Sequence, residues 1–388
     1  MSGPDPDRRR LLAALAASGC GLCALAKLGG PEAWAEGSAG GGGIVAPRAE
    51  DLPGRPARWF RKLEGLEVEC TLCPRKCRVG DLERGTCGVR ENRGGEYFTL
   101  VHSRPCSLHL DPVEKKPFYH VLPGTTALSL ATVGCNFECK FCQNWEIAQA
   151  RPEQVPSFDL PPEALAALAR KYETPTIACT YTEPVVWAEY VIDIATAARK
   201  AGVRTLMISN GSIQGEPLDD LAAVLGAMKV DLKAYTEKFY GEQCKGELKP
   251  VLEALRRLRA KGLWTEIVVL VIPTLNDGER ELRELARFVK NDLGAEVPVH
   301  FTRFHGAYRL VNLPSTPIST LERAREIATA EGLAFAYVGN VPGHPGNHTY
   351  CPGCKAVLVR RTGMAVLQNR LVSGRCPECR RAIPGIWA

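Results

Sequence analysis

The stretch VGCNFECKFCQN (133–144) contains Cys135, Cys139 and Cys142 in a C-x3-C-x2-C spacing, with Phe141 directly before the third cysteine. Three thiolates this close together can hold three corners of a cubane iron–sulfur cluster, which leaves the fourth iron without a protein ligand. A structural zinc site needs four closed ligands, and the triplet does not supply them. The spacing therefore predicts a 4Fe-4S cluster with one iron open to a substrate or cofactor.

An apolar run typical of a buried strand precedes the triplet, and further runs of this kind follow it along the chain. Amphipathic segments with apolar residues at helical spacing lie between them. This alternation predicts an α/β fold whose parallel sheet curls into a partial (β/α)6 barrel. The predicted strands cover residues 127–133, 176–181, 205–210, 228–233, 266–272 and 298–303, with 335–340 as a seventh candidate.

Polar residues follow five of these predicted strands. In parallel α/β folds the functional side chains gather at the carboxyl ends of the strands, so we expect the five groups to meet at one edge. They are the cysteine triplet, Tyr181-Thr182-Glu183-Pro184, Ser209-Asn210-Gly211, Asp231-Leu232-Lys233 and the stretch from His300 to His305.

Ten short motifs between about residue 60 and residue 388 make the chain resemble the radical S-adenosylmethionine (radical SAM) superfamily. The chain is similar to the glycyl-radical-enzyme activases, such as the pyruvate formate-lyase activating enzymes. It resembles more closely the radical SAM member of the AmmeMemoRadiSam system. The motifs are CTLCPRKC, DPVEKKPFYH, GCNFECKFCQN, TYTEP, ISNG, DLKAY, IPTLND, HFTRFH, YVGNV and IPGIW.

This resemblance implies a cofactor and a reaction. The open iron would chelate S-adenosylmethionine, and one-electron reduction would yield a 5′-deoxyadenosyl radical that abstracts hydrogen from an unknown protein or small-molecule target. Glycyl-radical activation is one alternative. A metal-rich electron-transfer or binding protein is another, but such a protein needs neither an open iron nor a ring of polar strand ends.

The resemblance also assigns cofactor contacts motif by motif. Thr182 and Glu183 stand where the activases have glycine-glycine-glutamate-proline, and Glu183 would hold the amino group of the cofactor. The ribose and methionine parts would face Asn210 and Asp231, and the adenine would face Phe141. Either His300 or His305 would reach the ribose, with Tyr181-Thr182 departing from the paired glycines of the activases.

Two further cysteine groups flank the predicted barrel. Cys70, Cys73, Cys77 and Cys87 follow a C-x2-C-x3-C-x9-C spacing, which predicts one closed site for zinc or for an auxiliary iron–sulfur cluster. In the tail, two C-x2-C pairs 21 residues apart match the zinc-ribbon template, with a rubredoxin-like iron site as the alternative. The tail pairs are Cys351 with Cys354 and Cys376 with Cys379.

The amino terminus resembles a twin-arginine export signal, because Arg8 and Arg9 precede an apolar run of small residues and Ala33-Trp34-Ala35 offers a cleavage site. Export would make the protein periplasmic or membrane-attached. The alternatives are lipidation at Cys20 and an uncleaved leader on a cytoplasmic protein. The predicted parts are a signal (1–35), a flexible linker (36–58), a four-cysteine segment (59–118), the barrel (119–345) and a zinc ribbon (346–388).

Composition limits the partners. The chain has 388 residues, 16 cysteines and a formal net charge of +6 spread without a basic block, so we predict no nucleic-acid partner. A chain of this length buries a core without disulfides, which favours metal binding by the grouped cysteines. The isolated Cys106, Cys179 and Cys244 are interpreted as ordinary small residues. Expected partners are a flavodoxin or ferredoxin as electron donor and Memo-like and AMMECR-like proteins.

Overall fold

The structure, a computed structural model, describes residue 48 and residues 51–388, so the predicted signal at 1–35 lies outside the described residues. The strands of the described part are β1 (Arg55–Pro56), β2 (Phe60–Lys62), β3 (Val68–Cys70), β4 (Arg78–Val79), β5 (Arg90–Arg93), β6 (Glu96–Thr99), β7 (Ser107–Pro112), β8 (Thr126–Ala131), β9 (Thr176–Cys179), β10 (Arg204–Ser209), β11 (Ala227–Asp231), β12 (Thr265–Val271), β13 (Val299–Arg303), β14 (Ala336–Gly339), β15 (Thr349–Tyr350), β16 (Val357–Thr362) and β17 (Ala365–Asn369).

The helices alternate with the strands of the barrel. Two of them, α5 (Glu237–Phe239) and α7 (Glu279–Phe288), continue into wider π-helical turns at Tyr240–Cys244 and Val289–Leu293. The α-helices of the described residues are α1 (Trp145–Ala148), α2 (Pro162–Lys171), α3 (Ala188–Lys200), α4 (Gly215–Ala222), α5 (Glu237–Phe239), α6 (Leu248–Ala260), α7 (Glu279–Phe288) and α8 (Ile318–Ala330).

Helix α6 shows how sequence pattern produces these elements. Its buried Val251, Leu255 and Leu258 recur at spacings of four and three residues, which places them on one face toward the sheet. The chain leaves the helix through Gly262, which has a φ of +71° that glycine adopts without steric cost. In contrast, all four residues of β9 are buried, as expected of a strand covered on both faces.

One eight-stranded sheet forms the centre of the molecule, in the order β14-β13-β12-β11-β10-β9-β8-β7. Strands β8 to β14 pair in parallel, and β7 joins the edge of β8 in the antiparallel direction. The sheet has two free ends, so the barrel is partial. The predicted α/β fold is confirmed, including all six strands and the seventh candidate.

Strand β7 was not predicted. It spans Ser107–Pro112, within the stretch assigned to the four-cysteine segment. Three prolines and a glycine between residues 111 and 124 are typical of a loop, and the end of the strand falls among them. A proline is nevertheless tolerated in an edge strand such as β7. The main sheet therefore begins before the predicted boundary at residue 119.

Compact packing also begins within the predicted linker. Leu52 is buried, and Arg55–Pro56 pairs with β6 in a small sheet of order β1-β6-β5. The last residues of the 36–58 segment are therefore part of a folded sheet, whereas the glycine-rich composition of the segment had indicated a flexible linker. The neighbouring β2-β3-β4 sheet completes the amino-terminal segment.

The tail packs against the amino ends of the barrel strands. Its β15-β16-β17 sheet shares a core with Tyr119, Phe335 and Tyr337. The buried Arg361 guanidinium donates a 2.8 Å hydrogen bond to the Tyr119 carbonyl, and Ile386 exchanges backbone hydrogen bonds with the 120–122 segment. Across the described part of the chain, we find no helix long and apolar enough to cross a membrane.

Candidate active site

The loop after β8 carries the cysteine triplet. It leaves the strand through Gly134, whose φ is +94°, and a Cβ at this position would lie 2.8 Å from the Cys87 carbonyl oxygen and 2.6 Å from Val89 Cγ1. Only glycine fits such a close approach. The thiols of Cys135, Cys139 and Cys142 are half-buried on this loop.

The segment 243–246 supports the cluster loop from its other side. Backbone amides of Glu138 and Lys140 donate to the carbonyls of Cys244 and Gln243, both at 2.9 Å. The neighbouring Cys244 thiol, together with burial, raises the pKa of the Cys139 thiol well above its usual value. Cys244, interpreted from sequence as an ordinary small residue, thus lies near one of the predicted cluster ligands.

Within the described part of the chain, the Sγ atoms of the triplet do not all lie within 4.8 Å of one another. Each thiolate of a cubane binds a different iron, so wider separation is expected. The Phe137 amide donates to Cys135 Sγ at 3.3 Å, and this kind of hydrogen bond stabilises a thiolate ligand.

Glu183 lies at the carboxyl end of β9 with only 1% of its surface exposed. Its carboxylate accepts hydrogen bonds from Ser209 Oγ at 2.6 Å, the Asn210 amide at 2.7 Å and the Val185 amide at 3.1 Å. Burial raises the pKa of Glu183 to about 7, although these three donors act to lower it. Asn210, which binds this carboxylate through its amide, also hydrogen-bonds to Asn136 next to Cys135, so the carboxylate lies close to the cluster loop.

Asn136 joins this carboxylate network to the cluster loop. Its Oδ1 accepts a 2.8 Å hydrogen bond from Asn210 Nδ2, and its own Nδ2 donates to the Ser212 carbonyl at 2.8 Å. Thr182 Oγ1 donates to the Thr132 carbonyl at 2.7 Å, which ties the end of β9 to the end of β8. The ends of three strands are therefore fixed relative to one another.

Asp231 ends β11 between two lysines. It pairs with Lys229, and Lys233 Nζ lies 3.0 Å from its Oδ2. Burial acts to raise the pKa of Asp231, yet the two lysine charges lower it to about 2. The positive charge of Lys233 also acts on Cys139 and Cys142, so this group contributes a cation beside the predicted cluster.

The two candidate histidines occupy different places. His300 is the second residue of β13, near the amino edge of the sheet, and its Nε2 pairs with the buried Glu266 at 2.8 Å. It is therefore separated from the carboxyl edge where Glu183 and Asn210 lie. His305 follows the carboxyl end of β13 and contacts Ser315 Oγ at 2.9 Å. Of the two, only His305 lies beyond the expected edge.

Phe141 is buried, 4% exposed, with its ring 5.8 Å from that of Phe239. Its adenine contact stays a prediction.

Asp111 and Lys116 form a polar group with Tyr181, the residue before Thr182, and the sequence did not assign this group to the site. Tyr181 has a φ of +70°, and its hydroxyl donates to Asp111 Oδ2 at 2.5 Å. The buried Lys116 also donates to Asp111 at 2.5 Å, and burial lowers the pKa of Lys116 to about 8. The charged motif at 111–120 was the only signal for this group, and its partner on another strand was not visible.

The four tail thiols are arranged for a single metal ion. The Sγ atoms of Cys351 and Cys379 lie 3.5 Å apart, those of Cys354 and Cys376 lie 3.6 Å apart, and all four lie within 4.8 Å of one another. Tetrahedral Zn–S bonds of about 2.3 Å place the sulfurs about 3.8 Å apart. The group is therefore compatible with a zinc ribbon.

Comparison with known proteins identifies the class of enzyme. The profile of the Radical SAM superfamily matches residues 129–289. An uncharacterized protein of Methanocaldococcus jannaschii is 42% identical over 327 residues, which cover 84% of this chain and 97% of that protein. Pyruvate formate-lyase 1-activating enzyme of Escherichia coli K12 is 22% identical over 218 residues, 51% of this chain and 87% of the enzyme.

Among solved structures, a radical SAM methyltransferase from Sphaerobacter thermophilus has a TM-score of 0.46 and 16% identity, over 78% of this chain and 81% of that one. The fold and the matched sequence define an enzyme with a radical SAM barrel. Residues 129–289 of this chain form a Radical SAM superfamily domain, and the chain is homologous to the pyruvate formate-lyase activating enzymes. A domain of this superfamily implies a 4Fe-4S cluster and S-adenosylmethionine.

Proposed function

We propose that this enzyme cleaves S-adenosylmethionine reductively and uses the resulting 5′-deoxyadenosyl radical to abstract hydrogen from a protein or small-molecule target. The observation that carries the proposal is the buried carboxylate of Glu183, held at a strand end beside the loop of Cys135. A carboxylate with three donors and almost no exposure is positioned to accept a hydrogen bond from an ammonium group.

In this proposal Cys135, Cys139 and Cys142 hold a 4Fe-4S cluster, which supplies the electron for cleavage when it is bound. Glu183 binds the amino group of the cofactor. Because its pKa is about 7 without the cofactor, an approaching ammonium group would favour the ionised form. Glu183 thus acts as a binding residue whose charge is matched to that of the cofactor.

Asn210 and Asp231 lie at neighbouring strand ends and complete the proposed cofactor contacts. Asn210 is oriented by Asn136, so its side chain cannot rotate without breaking a buried hydrogen bond. Asp231 stays ionised because two lysines face it. For the ribose we retain His305 rather than His300, because His305 follows the carboxyl end of its strand.

A glycyl-radical-enzyme activase is the second candidate. The 22% identity to pyruvate formate-lyase 1-activating enzyme over 87% of that protein supports it. In either case the enzyme needs a one-electron donor such as a flavodoxin or ferredoxin. We further propose that it acts in an AmmeMemoRadiSam system, with Memo-like and AMMECR-like partners, and that the tail thiols bind zinc.

The test is 5′-deoxyadenosine formation by the anaerobically reconstituted full chain with S-adenosylmethionine and a strong reductant. We expect product from the wild type and from Cys106→Ala, which changes an isolated cysteine outside the site. The combined Cys135→Ala, Cys139→Ala and Cys142→Ala variant should form none. Equal product from this variant would overturn the cluster assignment, and a wild type that forms none would favour the electron-transfer alternative.

A further inference from the structure

The amino-terminal segment brings its four cysteines together around one loop. Cys70 ends β3, and Cys77 directly precedes β4, with the Cys70 amide donating to the Cys77 carbonyl at 2.9 Å. Cys73 lies in the turn between them, and Cys87 arrives from the loop before β5. A Cβ at Gly85, two residues before Cys87, would lie 3.6 Å from Cys77 Sγ. The backbone therefore brings the four cysteines to one place in the segment.

Two buried donors near these thiols have no hydrogen-bond partner among the residues that the structure describes. The hydroxyl of Tyr97, a residue with 1% exposure, is one, and Nε of the equally buried Arg90 is the other. A Cβ at Gly85 would lie 3.0 Å from the Tyr97 hydroxyl and 3.6 Å from Cys77 Sγ, so the hydroxyl lies beside the thiols. Buried donors are rarely left unpaired, and a bound anionic metal–thiolate group would accept from both.

The sulfur spacing distinguishes one ion from a cluster. Of the residues that the structure describes, no three of Cys70, Cys73, Cys77 and Cys87 have thiols within 4.8 Å of one another, whereas all four tail thiols do. A tetrahedral zinc requires sulfurs about 3.8 Å apart. A cubane binds each thiolate through a separate iron and accepts a wider arrangement. The same wider arrangement is found for the catalytic triplet.

We propose that Cys70, Cys73, Cys77 and Cys87 hold a second 4Fe-4S cluster, closed by four thiolates and placed directly against the loop of Cys135. The Tyr97 hydroxyl and Arg90 Nε donate to it. All four irons have a protein ligand, so this cluster has no open position for S-adenosylmethionine. The inference goes beyond the proposed function, because it concerns a different metal group.

Two contacts connect this cluster site to the catalytic loop. Arg75, inside the four-cysteine segment, donates from Nε to the Asn136 carbonyl at 2.5 Å. On the other side, the Cys87 carbonyl oxygen packs against Gly134. Residues on both sides of Cys135 thus contact the segment that would hold the second cluster.

The test is metal and sulfide analysis of the full chain that carries Cys135→Ala, Cys139→Ala and Cys142→Ala. After anaerobic reconstitution we expect about four irons and four sulfides per chain to remain, against about eight of each in the wild type. Adding Cys73→Ala and Cys87→Ala should remove them, while adding Cys106→Ala instead should not. The tail metal should persist in every variant, which reports that the chain is folded.

A triple variant that contains two zincs and no sulfide would overturn the proposal, as would iron that persists after the Cys73 and Cys87 changes. Tyr97→Phe, added to the Cys135, Cys139 and Cys142 variant, gives a second measurement. This chain keeps all four thiols of the amino-terminal segment. It should keep the iron and sulfide but lower the reduction potential of the remaining signal, because a hydrogen bond to the cluster is lost. An unchanged potential would remove Tyr97 from the site.

Discussion

Asn210 Nδ2 donates a 2.8 Å hydrogen bond to Asn136 Oδ1, and this bond joins the end of β10 to the loop that carries Cys135. The Asn136 side chain also donates to the Ser212 carbonyl, and its backbone carbonyl accepts from Arg75 Nε. One buried residue thus connects the proposed cofactor site, the cluster loop and the amino-terminal four-cysteine segment. Its removal would leave several buried polar groups without partners.

The first prediction concerns this residue. Asn136→Ala should lower the free energy of unfolding by about 2 kcal/mol or more, because an unsatisfied buried group costs about 1–3 kcal/mol. Denaturant unfolding of the metal-free chain measures the change. The matched control is Asn312→Ala, at an exposed position, which should alter stability little. Equal effects of the two variants would contradict the connecting role of Asn136.

The second prediction concerns the tail. Cys351→Ser should release about one zinc per chain and destabilise the core shared with Tyr119, because structural zinc contributes directly to folding. Metal analysis and thermal unfolding check both effects. Cys106→Ser is the control, since it removes a thiol outside any metal group. Unchanged zinc in the Cys351 variant would remove the tail thiols from consideration as a zinc site.

The third prediction concerns residues 1–40, which lie outside the described part of the chain. Fused to a folded reporter, they should direct it across the cytoplasmic membrane by the twin-arginine route. Replacing Arg8 and Arg9 by Lys should stop export, whereas Lys27→Arg should not. Cell fractionation measures the distribution of the reporter. Equal export by the lysine pair would argue against this route and leave lipidation or an uncleaved leader.

The fourth prediction concerns pH and the contact between Glu114 and Arg361, which lie 3.6 Å apart in the interface between the tail and the barrel. Burial raises the pKa of Glu114 from 4.5 to about 7, although Arg361 acts to lower it. The folded state therefore binds a proton more tightly than the unfolded state. The stability from this group is fully present below pH 4.5 and is lost as pH rises through about 7.

Glu114→Gln should remove this dependence, because glutamine resembles the protonated acid at every pH. Relative to wild type, the variant should gain stability between pH 4.5 and pH 7, by up to about 3 kcal/mol from the change in pKa. Thermal unfolding at several pH values provides the measurement. The exposed Glu163→Gln is the control, and parallel curves for both variants would contradict the assignment.

The sequence predicted the parallel sheet well because apolar runs and polar strand ends are local signals. It could not show β7, because this strand ends at Pro112 and runs into a proline-rich stretch typical of a loop. Nor could it show that Cys139 and Cys244, which are 105 positions apart, lie near each other. His300 shows a different limit. A motif that reads HFTRFH contains two histidines, and only the strand bounds reveal that one lies near the amino edge and the other beyond the carboxyl edge.

The metal sites also combine features that the sequence predicts with features that only the folded structure shows. Spacing predicted that four cysteines near residue 80 form one site, but it could not choose between zinc and a cluster. That choice depends on sulfur separation and on the unpaired Tyr97 hydroxyl, and both are properties of the folded chain. Tyr97 and Arg90 do not belong to any sequence motif comparable to the cysteine spacing, so no local signal indicated that they lie at the site.

The last prediction concerns Glu183. A hydrogen bond between this carboxylate and the cofactor ammonium group contributes about 1.5–3 kcal/mol. Glu183→Gln should therefore weaken S-adenosylmethionine binding by about one to two orders of magnitude, at about 1.4 kcal/mol per tenfold change. Most 5′-deoxyadenosine formation should be lost, while the iron content is retained because no thiolate is altered.

A structural role for Glu183 makes a different prediction. Its carboxylate also accepts from the Val185 amide at the start of the 3-10 helix Pro184–Trp187, and this cap alone would affect stability rather than binding. Equilibrium binding and product formation, measured beside unfolding, separate the two roles, with Glu163→Gln as the exposed control. A folded Glu183→Gln protein with normal affinity and normal product formation would remove Glu183 from the cofactor site, together with the motif-based assignment of Thr182 and Asn210.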